Sequence, residues 1–435
     1  MRFLFVVPPL VGHVNPTLAV GAELAARGHE TAWTGPPEVL TRLLPAHTRL
    51  FPSGGAPGDA AGDAAGRTAA DATGDTAGGA AVTGPGGYAA LHEHWRDLRG
   101  VAALHFLWSR ALIPLARAMV PGVERAVESY RPDVVVADQQ ALAGPLVARR
   151  LGVPWATSAT TSAEFTRPFS GFPKVGAWVT EQIAGLLAEY GAGAGVGAGT
   201  SVGSWDPRFS DRLVLVFSTP ELISAGEDFA DEGGAARSGE RFPAHYAFVG
   251  PAFGARPGAR DFPWRRLDPD RRRVLVSLGT LNREAGARFY ACVLDAAEQL
   301  KDRVQLVLAA PGALTGPVPD HVLLRDTVPQ LELLPHLDAV VSHGGHNTVC
   351  EALAHGLPLV VAPIRDDQPI VAQQVAAAGA GVRLRFGRAR AQDLCEAITA
   401  VVDDPGYRRA ARRIQTSFAA AGGAAAAADR LEKLI

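Results

Sequence analysis

The sequence predicts an α/β protein with two Rossmann-like, doubly wound domains. The chain has 435 residues, more than a single hydrophobic core usually serves. In both halves, short β-branched runs alternate with stretches of helical periodicity, as in parallel sheets joined by crossover helices. A segment dense in glycine and proline, 250–258, separates the halves and suits a connection between domains.

Each half supplies its own predicted strands. In the first half they are Phe3–Val7, Glu30–Thr34, Val134–Ala137 and Trp155–Ser158. In the second half they are Val274–Leu278, Val304–Ala309, Val322–Arg325, Ala339–Ser342, Leu359–Ala362 and Val382–Leu384. We therefore expect an N-terminal domain over 1–250 and a second domain over 251–405.

Charge, cysteine content and hydropathy narrow the classes of function. The net charge of −2 supplies no basic surface for a nucleic acid backbone. Three cysteines without paired spacing predict neither a disulfide framework nor a zinc site, which fits a reducing, cytoplasmic setting. No apolar run approaches the roughly 20 residues that span a bilayer, so no integral membrane segment is expected. Two stretches rich in small residues, 53–87 and 191–203, are expected to be mobile insertions.

The most informative motif is the run 342–351, which reads Ser-His-Gly-Gly-His-Asn-Thr-Val-Cys-Glu. It follows a predicted strand directly and opens a helix. Such a junction presents unpaired backbone N–H groups and the positive helix end to an anion, and its glycines allow a diphosphate to approach closely. An asparagine at a helix start is alone usually a cap, and paired glycines are alone usually a turn. Four such pieces follow consecutive strands, where open α/β sheets bind ligands, and together they predict a binding site.

With these residues the chain resembles the GT-B glycosyltransferases of the plant, macrolide and carotenoid UDP-glycosyltransferase group. The donor motif of that group reads H-x-G-x-N-[ST]-x-x-E and is followed by P-x-x-x-D-Q. Here the two parts are His343 to Glu351 and Pro363 to Gln368. The segment 328–330, Val-Pro-Gln, resembles the base-binding turn of the family, and 277–280, Ser-Leu-Gly-Thr, its diphosphate loop. The resemblance implies two facing domains with a cleft between them, the donor in the second and the acceptor in the first.

The resemblance also implies a role for each matching residue. Val328 and Gln330 would contact the nucleotide base, and Glu351 would contact the ribose hydroxyls. Asp367 and Gln368 would contact the hydroxyls of the transferred sugar. The diphosphate would contact Gly279, Thr280, His343, Gly345, Asn347 and Thr348. The aromatic residue that often precedes the base-binding turn is replaced by Thr327, which leaves the base open. A carboxylate that bridges a ribose diol loses a partner with a 2′-deoxy nucleotide, which favours UDP over dTDP.

The catalytic residues are expected near the first strand. Asn15 fits an N-cap and Pro16 a first helical position, which places His13 at the cleft end of that strand. A nearby helix N-terminus disfavours the imidazolium and keeps the base form available. The family signature G-H-x-x-P matches at Gly12 to Pro16, and it implies that His13 removes the proton of the acceptor hydroxyl. By the same resemblance Asp138, at the end of a later strand, orients His13 and stabilises its charge.

The function that follows is inverting transfer of a hexose from a nucleoside-diphosphate sugar to a small apolar or aromatic acceptor. UDP-glucose is favoured, a dTDP-sugar is the alternative donor, and no cofactor or metal is expected. The acceptor, the sugar and the atom that forms the new bond stay open. Two other functions are alternatives: a UDP-sugar epimerase of the same fold, which needs no His13–Asp138 pair, and a non-catalytic sugar-nucleotide-binding subunit. The family further implies that 406–435 forms helices that pack on the first domain.

Overall fold

The structure is a computed structural model that describes residues 1–54, 95, 98, 100–166, 169, 172–190, 205–224, 242–254, 261–279 and 286–435. Nearly all of the predicted insertion 53–87 and the whole of 191–203 lie outside the described residues. Thr280, a predicted donor-binding residue, lies outside them as well. The predictions for these positions stay predictions.

The first half of the chain forms a parallel sheet of seven strands in the order β3-β2-β1-β4-β5-β6-β7. Its central strands β1 and β4 are almost entirely buried, as strands covered by helices on both faces must be. The strands are β1 (Arg2–Val6), β2 (Glu30–Gly35), β3 (Arg49–Pro52), β4 (Val134–Asp138), β5 (Trp155–Ala159), β6 (Val214–Val216) and β7 (Tyr246–Phe248).

Helices cover both faces of this sheet, as the large buried cores on its two sides show. They are α1 (Val11–Ala26), α2 (Pro37–Leu43), α3 (Gly100–Phe106), α4 (Ile113–Tyr130), α5 (Ala143–Arg150), α6 (Pro173–Glu189) and α7 (Pro220–Ile223). A π-helical segment, Leu107–Leu112, joins α3 to α4.

The second half forms a separate parallel sheet of six strands in the order β10-β9-β8-β11-β12-β13. The strands are β8 (Arg272–Ser277), β9 (Val304–Ala309), β10 (Leu323–Arg325), β11 (Ala339–Ser342), β12 (Leu359–Val361) and β13 (Gly381–Arg383). The helices are α8 (Ala287–Leu300), α9 (Gln330–Leu333), α10 (His346–Ala354), α11 (Gln368–Ala377), α12 (Ala391–Asp403), α13 (Pro405–Ala421) and α14 (Gly423–Glu432). Two parallel sheets with helices agree with the predicted pair of Rossmann-like domains.

The C-terminal segment 406–435 was expected to pack on the first domain, and the structure divides it at Gly422. Helix α13 places Ile414 and Phe418 in the core of the second domain. Gly422 then adopts a left-handed conformation with φ +86°, which ends α13 and redirects the chain. Helix α14 buries Leu431 against the first domain, in the same core as β1 and α1. Helix α14 therefore packs on the first domain as expected, whereas α13 packs mainly in the second domain and reaches the first through Ser417, which donates to Thr219 Oγ1 at 2.8 Å.

The prediction that Asn15 caps the first helix is wrong. Helix α1 begins at Val11, with Leu10 as its N-cap, and Pro16 lies inside the helix. The N–H of Val14 already bonds to the carbonyl of Leu10, so the helical ladder starts before the predicted cap. His13 consequently sits in the first turn of α1 rather than in the preceding loop.

Among the described residues, no helix has both the length and the apolar character needed to cross a membrane. The prediction of a cytoplasmic protein stays a prediction.

Candidate active site and donor site

Two neighbouring strand ends place the predicted catalytic pair together. Strands β1 and β4 are parallel partners, so the loop after β1 and the last residue of β4, Asp138, lie at the same edge of the sheet. His13 Nδ1 lies 2.9 Å from Asp138 Oδ1 and 3.0 Å from Oδ2. The carboxylate is buried, and the imidazole is 16% exposed. This geometry leaves Nε2 of His13 as the nitrogen that could take a proton from another molecule.

Asp138 is held by more than the histidine. Its Oδ1 accepts a hydrogen bond from the backbone N–H of Gln140 at 2.9 Å, and its Oδ2 accepts one from the hydroxyl of Thr160 at 2.9 Å. The Thr160 hydroxyl also lies 2.7 Å from His13 Nδ1. Donors on both oxygens fix the plane of the carboxylate, and the carboxylate in turn fixes the imidazole. The sequence analysis missed Thr160, which directly follows strand β5.

Several carboxylates control the charge of His13. Burial alone would lower its pKa, but the charge of Asp138 and its hydrogen bond, followed by the charges of Asp367 and Glu164, outweigh burial and raise the pKa above the ordinary histidine value. The helix end was expected to lower the pKa of this imidazole, whereas the carboxylates shift it in the opposite direction.

Glu164 belongs to the surroundings of the pair, and no sequence motif marked it. Its carboxylate accepts hydrogen bonds from the Gln140 side chain and from Arg208, each at 3.4 Å. Burial is the main cause that raises the pKa of Glu164, and the charge of Arg208 opposes the rise. Arg208 is held in turn by a bidentate contact with Asp206. A second carboxylate, partly exposed and already paired with an arginine, thus acts on the charge of His13.

The predicted diphosphate site forms where β8 and β11 end side by side in the second sheet. The His343 side chain fills the space above two glycines, because a Cβ on Gly279 would lie 2.6 Å from its ring and a Cβ on Gly345 2.7 Å. Burial lowers the pKa of His343 to about 4. His343 is therefore neutral at physiological pH and can offer a hydrogen bond but no positive charge.

Helix α10 begins directly behind these glycines. Its first residues are His346, Asn347 and Thr348, so their backbone N–H groups belong to the unpaired first turn of the helix. His346 is buried, with Nε2 3.5 Å from the sulfur of Cys350, and burial lowers the pKa of this histidine too. The Asn347 side chain crosses to the other domain, where its Nδ2 donates to the carbonyl of Gly12 at 2.9 Å.

The residues predicted to hold the base and ribose meet across two helices. Gln330, at the start of α9, donates from Nε2 to Glu351 Oε2 in α10 at 2.6 Å. Glu351 is almost fully buried. Val328 is half-buried against the core of the second domain, two residues before Gln330. The structure thus brings together Gln330 and Glu351, the residues predicted to contact the base and the ribose.

The residues predicted to hold the sugar lie at the start of α11. Asp366 turns the chain in the left-handed region with φ +57°, and Asp367 then caps the helix. Asp367 Oδ2 accepts a hydrogen bond from the hydroxyl of Thr161, a residue of the first domain, at 2.7 Å. Gln368 uses its Oε1 to accept the backbone N–H groups of Ile364 and Arg365 at 2.9 and 3.1 Å. Gln368 therefore shapes its own loop.

No group of three or more potential metal ligands occurs in the part of the chain that the structure describes. The carboxylates of Asp138, Asp367 and Glu351 accept hydrogen bonds from hydroxyl, amide or backbone groups. The site, as far as it is described, consists of a histidine–carboxylate pair facing a helix N-terminus.

Comparison with known proteins gives the class to which this fold and site belong. Residues 291–434 match the family described as erythromycin biosynthesis protein CIII-like, C-terminal domain. The chain is 30% identical to demethyllactenocin mycarosyltransferase of Streptomyces fradiae, over 99% of this chain and 86% of that protein. The calicheamicin glycosyltransferase CalG4 aligns over 100% of this chain and 98% of its own, with a TM-score of 0.69 and 25% identity.

A further structural neighbour is the spinosyn rhamnosyltransferase SpnG, solved with thymidine diphosphate and with spinosyn aglycone. It covers 100% of both chains with a TM-score of 0.65 and 22% identity. The fold and the sequence relatives define a glycosyltransferase with two Rossmann-like domains. The chain belongs to the GT-B glycosyltransferases of natural-product pathways, which confirms the predicted fold and enzyme class. The roles of the individual site residues stay predictions.

Proposed function

We propose that this glycosyltransferase moves a hexose from a nucleoside-diphosphate sugar to a hydroxyl of a small apolar or aromatic natural product, with inversion at the anomeric carbon. The observation that carries the proposal is the His13–Asp138 hydrogen bond of 2.9 Å at the strand edge that faces the start of α10. A base is needed for transfer to a hydroxyl, and a helix N-terminus suits a diphosphate leaving group.

The reaction is a single displacement. His13 Nε2 takes the proton of the acceptor hydroxyl while the acceptor oxygen forms a bond to the anomeric carbon. The bond between that carbon and the diphosphate oxygen breaks on the opposite side, and its electron pair leaves with the nucleoside diphosphate. Asp138 stabilises the imidazolium that results and holds the ring in one orientation. Attack and departure on opposite faces invert the anomeric centre.

The leaving group gains negative charge, and the proposal assigns its stabilisation to the protein without a metal. We assign this role to the backbone N–H groups at the start of α10, which form the positive end of the helix. The side chains of Asn347 and Thr348 add further hydrogen-bond donors for the diphosphate. Neutral His343 adds a hydrogen bond. We expect turnover to be unchanged after treatment with a chelator.

The nucleotide is proposed from the contact between Gln330 and Glu351. Because Glu351 is buried, loss of a ribose hydroxyl would leave its carboxylate short of a partner, at about 1–3 kcal/mol. This supports UDP-glucose as the donor. The SpnG structure with thymidine diphosphate supports a dTDP-sugar as the alternative, so both nucleotides belong in the test. The names of the relatives, which include a mycarosyltransferase and an enzyme solved with spinosyn aglycone, support a natural-product acceptor.

The test compares wild type with His13→Ala, and with His47→Ala as a matched control, because His47 is exposed. Each protein receives UDP-glucose or dTDP-glucose together with phenolic and macrocyclic acceptors. Release of the nucleoside diphosphate is measured, and products are identified by mass spectrometry. We expect acceptor-dependent release with a hexose mass shift in wild type and in His47→Ala. His13→Ala should lose about 10²- to 10⁴-fold in rate and still bind the donor.

Other outcomes point to the alternatives. Conversion of the donor sugar without an acceptor would indicate an epimerase. Donor binding without turnover by wild type, across the whole panel, would indicate a binding subunit. Equal rates for wild type and His13→Ala would remove His13 as the base.

A further inference from the structure

Side-chain hydrogen bonds join the two domains on both sides of the catalytic pair. Asn347 of α10 donates to the carbonyl of Gly12, the neighbour of His13 in the chain, at 2.9 Å. Thr161 donates to Asp367 at 2.7 Å, and Thr161 follows Thr160, which bonds Asp138. We call these two bonds, Asn347–Gly12 and Thr161–Asp367, the cross-cleft latch.

The first bond exists because of a proline. In an α-helix the carbonyl of Gly12 would accept the N–H of the residue four positions on, which is Pro16. Proline has no N–H, so its presence inside α1 removes that hydrogen bond and leaves the Gly12 carbonyl without its helical donor. The Gly12 carbonyl is partly shielded from solvent, and the side chain of Asn347 supplies the donor that the helix cannot. A helix defect in one domain thereby becomes a docking point for the other.

The second bond comes from a loop of three consecutive hydroxyl residues after β5. Thr160 donates to Asp138, Thr161 to Asp367, and Ser162 to Gln374 Oε1 in α11 at 3.1 Å. All three are at least 95% buried. One loop therefore contacts the catalytic carboxylate, the predicted sugar-binding carboxylate and the helix that follows it.

The latch leaves room for the donor. A carboxylate offers about four lone-pair positions, and Thr161 takes one of those of Asp367. The carboxamide of Asn347 has two N–H groups and an oxygen, and the bond to Gly12 takes one N–H. The same side chains can therefore hold the cleft together and contact a nucleotide sugar.

We propose that the cross-cleft latch sets the register of the two domains, so that His13 faces the anomeric carbon of the bound sugar, with Thr161 and Pro16 as positioning residues. Thr161 orients the carboxylate of Asp367, and Pro16 keeps the Gly12 carbonyl available to Asn347. The inference rests on the proposed roles of His13 as the base and Asp367 as a ligand of the sugar. A displacement of about 1 Å between base and sugar is enough to slow transfer strongly.

The variants are Thr161→Val, which removes the hydroxyl at nearly constant volume, and Pro16→Ala, which adds an N–H that competes for the Gly12 carbonyl. Thr161→Ser keeps the hydroxyl and should behave as wild type. Thr166→Val is the matched control, because Thr166 is equally buried and, among the described residues, its hydroxyl donates to the carbonyl of Ala163 in its own domain. Thr161→Ala replaces Thr161→Val if the valine variant does not fold.

Two measurements separate the latch from the proposed reaction. Amide hydrogen exchange without any ligand reports opening of the cleft in the peptides 10–18 and 364–371. Steady-state rates with UDP-glucose and dTDP-glucose, beside the affinity for UDP and dTDP alone, report function. Thr161→Val and Pro16→Ala should exchange faster on both sides of the cleft and lose about tenfold in kcat/KM, with unchanged affinity for the nucleoside diphosphates.

The outcomes divide clearly. Wild-type exchange and wild-type kcat/KM in both variants would overturn the latch. An equal loss in Thr166→Val would also overturn it, since any buried hydroxyl would then matter as much. If wild type turns over neither donor but Thr161→Val still accelerates exchange across the cleft, the latch stands and the proposed reaction fails.

Discussion

The carboxylates around His13 set the pH range in which it can act as a base. Its pKa is raised, with Asp138 as the largest raising cause against burial. As the proposed base, His13 must carry a neutral imidazole, so activity should be present above this raised pKa and be lost as the pH falls through it. The acid limb of the pH profile therefore reports the charge of Asp138.

Asp138→Asn is expected to move that acid limb to lower pH. It removes the charge that favours the imidazolium, and for the same reason it should lower the rate at the plateau by about 10²- to 10⁴-fold. The measurement is kcat/KM against pH. Asp133→Asn is the control, because Asp133 stands before the opposite end of the same strand, where it accepts the N–H of Arg2 at 2.7 Å. An acid limb that stays in place in Asp138→Asn would show that another group controls the profile.

Single residues differ in how far the sequence reveals them. His13, Asp138, Gln330 and Glu351 sit in recognisable motifs, and the structure brings the predicted pair His13–Asp138 within hydrogen-bond distance, as it does Gln330 and Glu351, whose contact was not predicted. Thr160, Glu164 and Arg208 lie in no recognisable motif. They belong to strand ends and loops that meet the catalytic pair only after folding, and His13 and Thr160, for example, are 147 residues apart in the chain. A hydroxyl residue at the end of a buried strand, next to one that ends in aspartate, is the signal that could have marked Thr160.

At the scale of elements, the predicted strands agree with the observed ones to within one or two residues. The missing strands β3, β6 and β7 have only three or four residues each, which is too short for a periodicity that could separate them from loops. The start of α1 was misplaced for a physical reason. Proline is favoured in the first turn of a helix, so its presence predicts a helix start, yet here it lies in the helix interior. The hydrogen bond from the other domain compensates for the lost helical one, and a single-domain argument cannot foresee that.

The turn between β11 and α10 depends on a glycine that no other residue can replace without strain. Gly344 has φ +89°, and a Cβ there would lie 2.8 Å from Val361 Cγ1 and 3.2 Å from the Gln368 carbonyl. Gly344→Ala should therefore cost about 1–2 kcal/mol in backbone strain and, in addition, push the turn away from the loop that carries Asp367. We expect a lower Tm and weaker binding of UDP and UDP-glucose.

Gly316→Ala separates the two causes. Gly316 also has positive φ, +67°, but a Cβ there meets nothing within 4 Å. The Tm of Gly316→Ala should fall because of the backbone strain alone, and its nucleotide binding should be unchanged. Calorimetric titration together with thermal melting compares the two variants. Equal nucleotide affinity in both would mean that the position of this turn does not matter for the donor.

At the scale of the whole molecule, the chain crosses between the domains twice, and the second crossing ends in α14. Gly423 donates its N–H to the carbonyl of Val249 at 2.7 Å, so the return of the chain is fastened beside the end of the first domain. Helix α14 then lies against α1, the helix that carries His13. Helix α14 thereby supports the element that carries His13, the proposed catalytic base.

Buried apolar contact, more than the visible ion pairs, should hold α14 in place. Arg27 reaches Asp429 and Glu432, but Asp429 is 56% exposed, and such surface pairs contribute about 0–1 kcal/mol. Leu431 is fully buried in the core that contains β1. Leu431→Ala should therefore lower the free energy of unfolding by about 2–5 kcal/mol, whereas Arg27→Ala should lower it by about 1 kcal/mol or less.

Urea unfolding followed by circular dichroism measures both variants, and Leu434→Ala, at a half-buried position on the rim of the same core, is the matched apolar control. Limited proteolysis adds the location of the effect. Cleavage near Gly422 should accelerate in Leu431→Ala, because the helix detaches more often once its buried anchor is lost. A larger loss of stability in Arg27→Ala than in Leu431→Ala would show instead that the ion pairs hold α14. In that case the stability of the first domain would fall steeply with salt, since exposed ion pairs are screened and buried apolar contacts are not.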